Sequence, residues 1–161
     1  MAASSKPYTY ERSLGYAFWL LSRRAYTTRE LREKLRGKAA EPEVIERVVA
    51  RLLELRYLDD ESYAESYVRS RARKKGRLAL RRELYHKGVS ERVVEEALGA
   101  LEPEMQVERA AALVERQRWR FQKGDARKDY ARAYAFLARR GFTGEVVKAA
   151  LERAAVRPED G

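Results

Sequence analysis

The sequence predicts an all-α protein: three tandem three-helix repeats, nine helices in all, stacked into an elongated array. Three observations carry this. Apolar residues recur at i, i+3, i+4 and i+7 almost from end to end, the spacing of a helix with one buried face. No segment sustains strand-like alternation, and no Asn-Gly or Asp-Gly hairpin turn occurs. The same apolar spacing also returns three times along the chain.

The first helix places Leu14, Ala17, Phe18, Leu21 and Ala25 on one stripe. Thr27-Thr28-Arg29-Glu30 is a capping box that opens the second, which carries Leu31 and Leu35. Pro42 suits the first turn of the third, with Val44, Ile45, Val48, Val49, Leu52 and Leu53 inward. Asp59-Asp60 offers an N-cap to the fourth, whose face is Tyr63, Ala64, Tyr67, Val68 and Ala72. Gly76 interrupts, and the fifth follows with Leu80 and Leu84 until Gly88. Ser90 caps the sixth, which buries Val93, Val94, Ala97, Leu98 and Leu101 and stops at Pro103. The seventh runs over 104–122 with Val107, Ala110, Ala111, Val114 and Phe121. Residues 123–129 read as a polar linker. Tyr130, Ala133, Tyr134 and Leu137 mark the eighth, closed by Gly141, and Thr143 caps the ninth, with Val146, Val147, Ala150 and Leu151.

The repeat is a matter of offsets. Leu35, Leu84 and Leu137 each precede Glu41, Ser90 and Thr143 by six residues, and the pairs Val44-Ile45, Val93-Val94 and Val146-Val147 follow three later. Gly88 and Gly141 occupy equivalent places suited to a left-handed helix end. The first repeat has Ala39 there, so its turn is expected to differ. The predicted units are 10–57, 58–102 and 103–155, with tails at 1–9 and 156–161. Each unit is too small to bury enough surface alone. Stacked, they reach about 60–70 Å.

Composition removes most chemistry. The 161 residues include no Cys and one His, His86, which leaves no thiol nucleophile, disulfide framework or Cys-ligated zinc. The nine glycines form neither dinucleotide- nor phosphate-binding loops. The acidic residues fall on helical surfaces beside basic ones (Glu30 with Lys34, Glu43 with Arg47, Glu61 with Glu65 and Arg69), as i, i+4 neighbours do. The dense spot Asp59-Asp60-Glu61 fits a helix start better than a metal site. No metal, cofactor or catalytic residue is expected. No apolar run spans a bilayer and no secretory signal is visible, so the expected location is cytoplasmic.

What remains is charge. Lys and Arg number 35 against 25 Asp and Glu, a formal net charge of +10. Residues 69–82 hold Arg69, Arg71, Arg73, Lys74, Lys75, Arg77, Arg81 and Arg82 with no acidic residue among 69–82. On one continuous helix, Arg69 with Arg73 and Arg71 with Lys75 would repel, and an anionic partner would offset that repulsion. A second cluster, 116–132, holds Arg116, Arg118, Arg120, Lys123, Arg127, Lys128 and Arg132, with Trp119 and Phe121 interleaved. Aromatic rings beside guanidinium groups suit base stacking. Phe121 reads as core, while Trp119 fits either role. The doublets Arg23-Arg24, Lys74-Lys75 and Arg139-Arg140 fit an array edge, and equally helix-dipole complementarity.

These stretches together resemble the RecX family of bacterial recombinase regulators. The resemblance is carried by Arg29 to Leu35, Tyr57 to Ala64, Arg69 to Gly76, Arg82-Glu83-Leu84 through Lys87-Gly88-Val89, and Phe136 to Phe142. It runs over roughly 10–155. It implies an elongated, curved array of tandem three-helix repeats that binds the RecA recombinase filament, lies in its groove, and suppresses ATPase, strand-exchange and coprotease activities. It also implies binding to DNA, single- and double-stranded, which charge alone makes weak and non-specific. The basic and aromatic residues of 69–82 and 116–132 are the contact candidates, on a chain taken as a monomer. The competing reading is a helix-turn-helix-like transcription factor. It is opposed by third helices that are apolar on one side and Glu-rich on the rest.

Overall fold

The computed structural model describes residues 6–159, so residues 1–5 and 160–161 of the expected tails lie outside the described residues. The described residues form nine α-helices and one 3-10 turn, without strands. The helices are α1 (Tyr10–Arg23), α2 (Thr28–Arg36), α3 (Pro42–Glu54), α4 (Asp60–Arg71), α5 (Arg77–His86), α6 (Glu91–Leu98), α7 (Pro103–Arg116), α8 (Ala126–Arg139) and α9 (Gly144–Arg153). The 3-10 turn, Arg118–Arg120, separates α7 from α8.

Helix starts follow the caps in the sequence. The Thr27 hydroxyl accepts from the Glu30 N–H at 3.2 Å, and the Glu30 carboxylate accepts from the Thr27 N–H at 3.1 Å. Asp59, Ser90 and Thr143 cap α4, α6 and α9 by the same i+3 geometry. Asp125 does so for α8, accepting from the Lys128 N–H at 3.1 Å. That cap starts α8 at Ala126, inside the stretch 123–129 expected to be linker.

Helix ends share one device. After Leu35, Leu84 and Leu137, all fully buried, the residue four later takes a positive φ: Ala39 at 57°, Gly88 at 86° and Gly141 at 88°. The next N–H then bonds back to the Leu carbonyl, from Ala40, Val89 and Phe142, at 3.3, 3.1 and 3.3 Å. The turn at Ala39 therefore does not differ, contrary to expectation. The buried Ala40 and its bond to Leu35 hold a backbone that costs an L-residue roughly 1–2 kcal/mol.

Two inward assignments also change. Leu53 is 44% exposed. The stripe Ile45, Val48, Val49 and Leu52 already fills the apolar arc, and Leu53 falls 100° beyond Leu52. In α1 the buried stripe is Ser13, Ala17 and Leu20, with Leu14, Phe18 and Leu21 half-buried. Ala25 lies past the helix end and is exposed, while Tyr26 is buried. The seventh helix also ends early, at Arg116. Its apolar period 107, 110, 111, 114 next meets Arg118, a polar residue, and Phe121 reaches the core only after the 3-10 turn.

The chain separates into two compact units: Met1–Ala64 with Leu84–Val93, and Glu65–Glu83 with Val94–Gly161. The division passes through α4, α5 and α6 rather than between the expected repeats. In the first unit, the core gathers Leu31, Leu35, Ile45, Val48, Leu52 and Leu58. Its α2 start is locked from two further segments. The Thr27 hydroxyl donates to the Lys87 carbonyl at 2.6 Å, and the Thr28 N–H donates to the Asp60 carboxylate at 2.9 Å. In the second unit, Val107, Val114, Phe121, Leu137, Val147 and Leu151 form a core between α7, α8 and α9.

Also in the second unit, two backbones meet directly. The Gly76 N–H donates to the Arg140 carbonyl at 2.8 Å, and the Leu78 N–H to the Gly141 carbonyl at 3.0 Å. A Cβ on Gly76 or on Gly141 would stand under 3.0 Å from backbone across this junction. Gly76 is thus more than an interruption between helices: it permits the approach.

Candidate functional site

The acidic spot is occupied by the fold. Asp59 caps its own helix, Asp60 caps α2 through Thr28, and Glu61 pairs with Arg92 at 3.2 Å. Among the described residues no three His, Cys, Asp or Glu side chains group as metal ligands do. The expected i, i+4 pairs are also redistributed: Glu30 meets Arg24 at 3.2 Å, and the Arg47 guanidinium lies 4.5 Å from the Tyr10 ring.

The first basic cluster divides by role. Helix α4 ends at Arg71, so Arg73, Lys74 and Lys75 lie in a turn and the expected helical repulsion is not realised. Lys75 instead turns to the Glu83 carboxylate. Arg77 donates to the carbonyls of Leu98 and Leu101, at 3.0 and 3.3 Å, and so caps the end of α6. No positive-φ residue terminates that helix, and the guanidinium takes over the orphaned carbonyls. Arg81 forms a two-pronged pair with Glu95 at 2.7 and 3.0 Å. Three of the eight cations are therefore structural. Arg69 and Arg71 touch only neighbouring groups of α4: Ser66 for Arg69, Ser70 and the Tyr67 ring for Arg71. Arg73, Lys74 and Arg82 are exposed, and their side chains make no hydrogen bond or ion pair among the described residues.

The second cluster divides likewise. Arg118 binds Glu115 in two-pronged fashion and also the Ala154 carbonyl, closing the end of α9 as Arg77 closes α6. The Arg118 hydrogen bond holds the Glu115 carboxyl below the usual carboxylate range, and the same bond raises Arg118. That link is intact above the ordinary carboxylate pKa and is lost as pH falls through the lowered one. Arg120 donates to the Gln117 side chain and lies 5.5 Å from the Phe136 ring. Arg116, Arg127 and the Lys123 ammonium are exposed without a partner among the described residues, and Lys128 reaches Asp125 only at 3.9 Å. Phe121 is buried against Phe136, with ring centres 5.4 Å apart. Trp119 is 74% exposed, which settles its open position in favour of the surface.

The fold brings part of the second cluster together with the end of α8. Trp119, Arg120 and Lys123 line one groove with Arg132 and Arg139, floored by Phe136. Arg139 is followed by Arg140, whose carbonyl receives the Gly76 N–H. The end of the Arg69–Gly76 stretch thereby adjoins the Arg139-Arg140 doublet, which leads into the groove. Arg127 and Lys128, on the first turn of α8, do not line it.

One surface was missed. On the first unit, Tyr16 and Trp19 stack with centres 6.0 Å apart, and Tyr8 meets Tyr16 edge-on at 6.0 Å. Arg12 lies over Tyr8 at 4.1 Å and Arg23 over Trp19 at 4.8 Å. The signal was present: Tyr8, Arg12, Tyr16, Trp19 and Arg23 are spaced by four, four, three and four. From Arg12 on it is a second helical stripe, about 100° round α1 from the buried one.

The chain is similar throughout to one family. Models described as the first, second and third three-helix domains of RecX match residues 14–52, 59–98 and 104–151. A regulatory protein RecX of Deinococcus radiodurans is 40% identical over 147 residues, covering 90% of this chain and 69% of that protein. One from Thermus thermophilus is 43% identical over 130 residues, covering 81% and 83%. The crystal structure of RecX from Lactobacillus salivarius superposes with a TM-score of 0.85 at 25% identity, covering 91% of this chain and 96% of that one.

Proposed function

Because the chain belongs to the RecX family of regulatory proteins, we propose that it is a non-enzymatic regulator of the RecA recombinase. On this reading it binds the recombinase filament together with DNA and lowers the filament's ATPase, strand-exchange and coprotease activities, in recombinational repair and the SOS response. The observation that carries the reading is the set of unpartnered cations on the second unit: Arg73 and Lys74 in the turn before α5, and Arg139 and Lys123 in the groove. Each lacks a counter-ion among the described residues, so phosphates or an acidic protein surface would neutralise them at little desolvation cost. A protein that touches neighbouring protomers as well as DNA binds one filament geometry better than another, and so shifts the filament's population without chemistry.

The transcription-factor reading is weaker. The outward faces of α3 and α6 present Glu46 and Glu95, already engaged with Arg32 and Arg81. Carboxylates there would face the phosphates flanking a DNA groove. In contrast, DNA held by the unpartnered cations is expected to bind with little sequence preference. Its affinity should fall steeply with salt, each duplex phosphate contact adding about 0.9 to the slope of log affinity against log salt. Anisotropy titrations of two unrelated duplexes across a salt series test this. A site-specific, salt-insensitive complex would contradict it.

A further inference from the structure

We propose that the groove between the Arg118–Arg120 turn and α8 seats an unpaired base of single-stranded DNA on the Trp119 indole, with Lys123 and Arg139 on the adjoining phosphates. This rests on the DNA-binding part of the reading above and gives it a location and a chemistry.

Composition of the groove selects the occupant. Four cations line it (Arg120, Lys123, Arg132 and Arg139), and no acidic side chain does. The groove beside Val68 and Leu101 differs in this, carrying Glu65 and Glu96 as well as Arg69 and Arg109. Asp129 lies behind Arg132, and its carboxylate is occupied by the Arg132 guanidinium at 3.0 Å and the Lys123 N–H at 2.9 Å. An anion therefore meets attraction without a competing carboxylate in the lining. The floor is aromatic and small: Phe136 beneath, Ala131 and Ala135 beside it. At ≈ 490 Å³ the space admits a nucleotide-sized group.

Trp119 is held ready rather than packed. Arg118 on one side is fixed to Glu115 and to the Ala154 carbonyl, and Phe121 on the other is fixed against Phe136. Between these anchors the indole stands 74% exposed. A large apolar ring left in water, on a braced turn and ringed by cations, suits a flat partner that brings negative charge with it. An unpaired nucleotide is such a partner, whereas a paired base hides its face in the helical stack.

The test uses the full chain with Trp19→Phe, so that Trp119 alone emits. Titration with an oligo-dT strand is expected to quench Trp119 to saturation. An abasic strand of equal length, which keeps the phosphates, is expected to bind about tenfold more weakly, the scale of one lost base stack. Trp119→Ala in the otherwise unchanged chain should lose about the same factor for oligo-dT by anisotropy, with Trp119→Phe recovering most of it and melting unchanged. Equal affinity for both strands, full affinity in Trp119→Ala, or equal quenching by a Tyr-containing acidic peptide would overturn the assignment. These readouts contain no recombinase. A chain that binds oligo-dT through Trp119 yet leaves the filament ATPase untouched would refute the proposed function and spare the groove.

Discussion

Gly141→Ala is expected to destabilise the chain by about 3 kcal/mol or more, the sum of a left-handed backbone on an L-residue and the loss of up to two hydrogen bonds. Gly141 sits at φ 88°, and a Cβ there would stand under 3.0 Å from both the Cβ and the backbone nitrogen of Ala79. Neither is the end of a flexible side chain, so the two segments must part. Parting breaks the bonds from Gly76 to Arg140 and from Leu78 to Gly141. The corresponding drop in melting temperature is about 10 °C for a chain of this length. Gly124→Ala is the control, since Gly124 also has a positive φ, 98°, but open space around it. It should show only the backbone strain. Equal melting of the two variants would contradict the close approach.

Arg71→Glu combined with Arg73→Glu is expected to weaken binding to DNA and to recombinase filaments at least about tenfold at low salt, and to reduce the duplex salt slope by roughly 2. Stability should change by no more than about 1 kcal/mol, because both residues are exposed and Arg71 loses only its surface hydrogen bond to Ser70 and its place on the Tyr67 ring. Arg77→Ala is the converse. It leaves the Leu98 and Leu101 carbonyls uncapped and should cost about 1–3 kcal/mol of stability while binding persists. Anisotropy and thermal melts on the three proteins separate the roles. Wild-type binding by the double variant would return Arg71 and Arg73 to the status of solvated surface.

Periodicity and caps made most of the fold legible. The offsets from Leu35, Leu84 and Leu137 located three helix ends and the equivalent turns at Gly88 and Gly141, and the Thr27-Glu30 capping box forms as read. Ala39 defeated the reading because residue type was taken to dictate backbone: a buried closing contact outweighs a local cost of 1–2 kcal/mol. Phe121 extended the seventh helix on paper because it lies seven residues after Val114, in phase with a helix that had already ended.

The site was legible only as charge. Nothing in RSRARKKGRLALRR distinguishes Arg73, which is unpartnered, from Arg77, which plugs the end of α6. The distinction depends on partners 21 and 24 residues away. Nor could spacing show that Arg139 and Trp119 share a groove, since α8 must fold back on the 3-10 turn to bring them together.

The most direct measurement is ATP hydrolysis by a RecA filament titrated with this protein, once on pre-formed filaments and once during assembly. The proposed function predicts a fall in the hydrolysis rate at or below one copy per recombinase protomer, and a weaker fall with the Arg71→Glu, Arg73→Glu chain. An unchanged rate at every ratio, in both orders of addition, would contradict it.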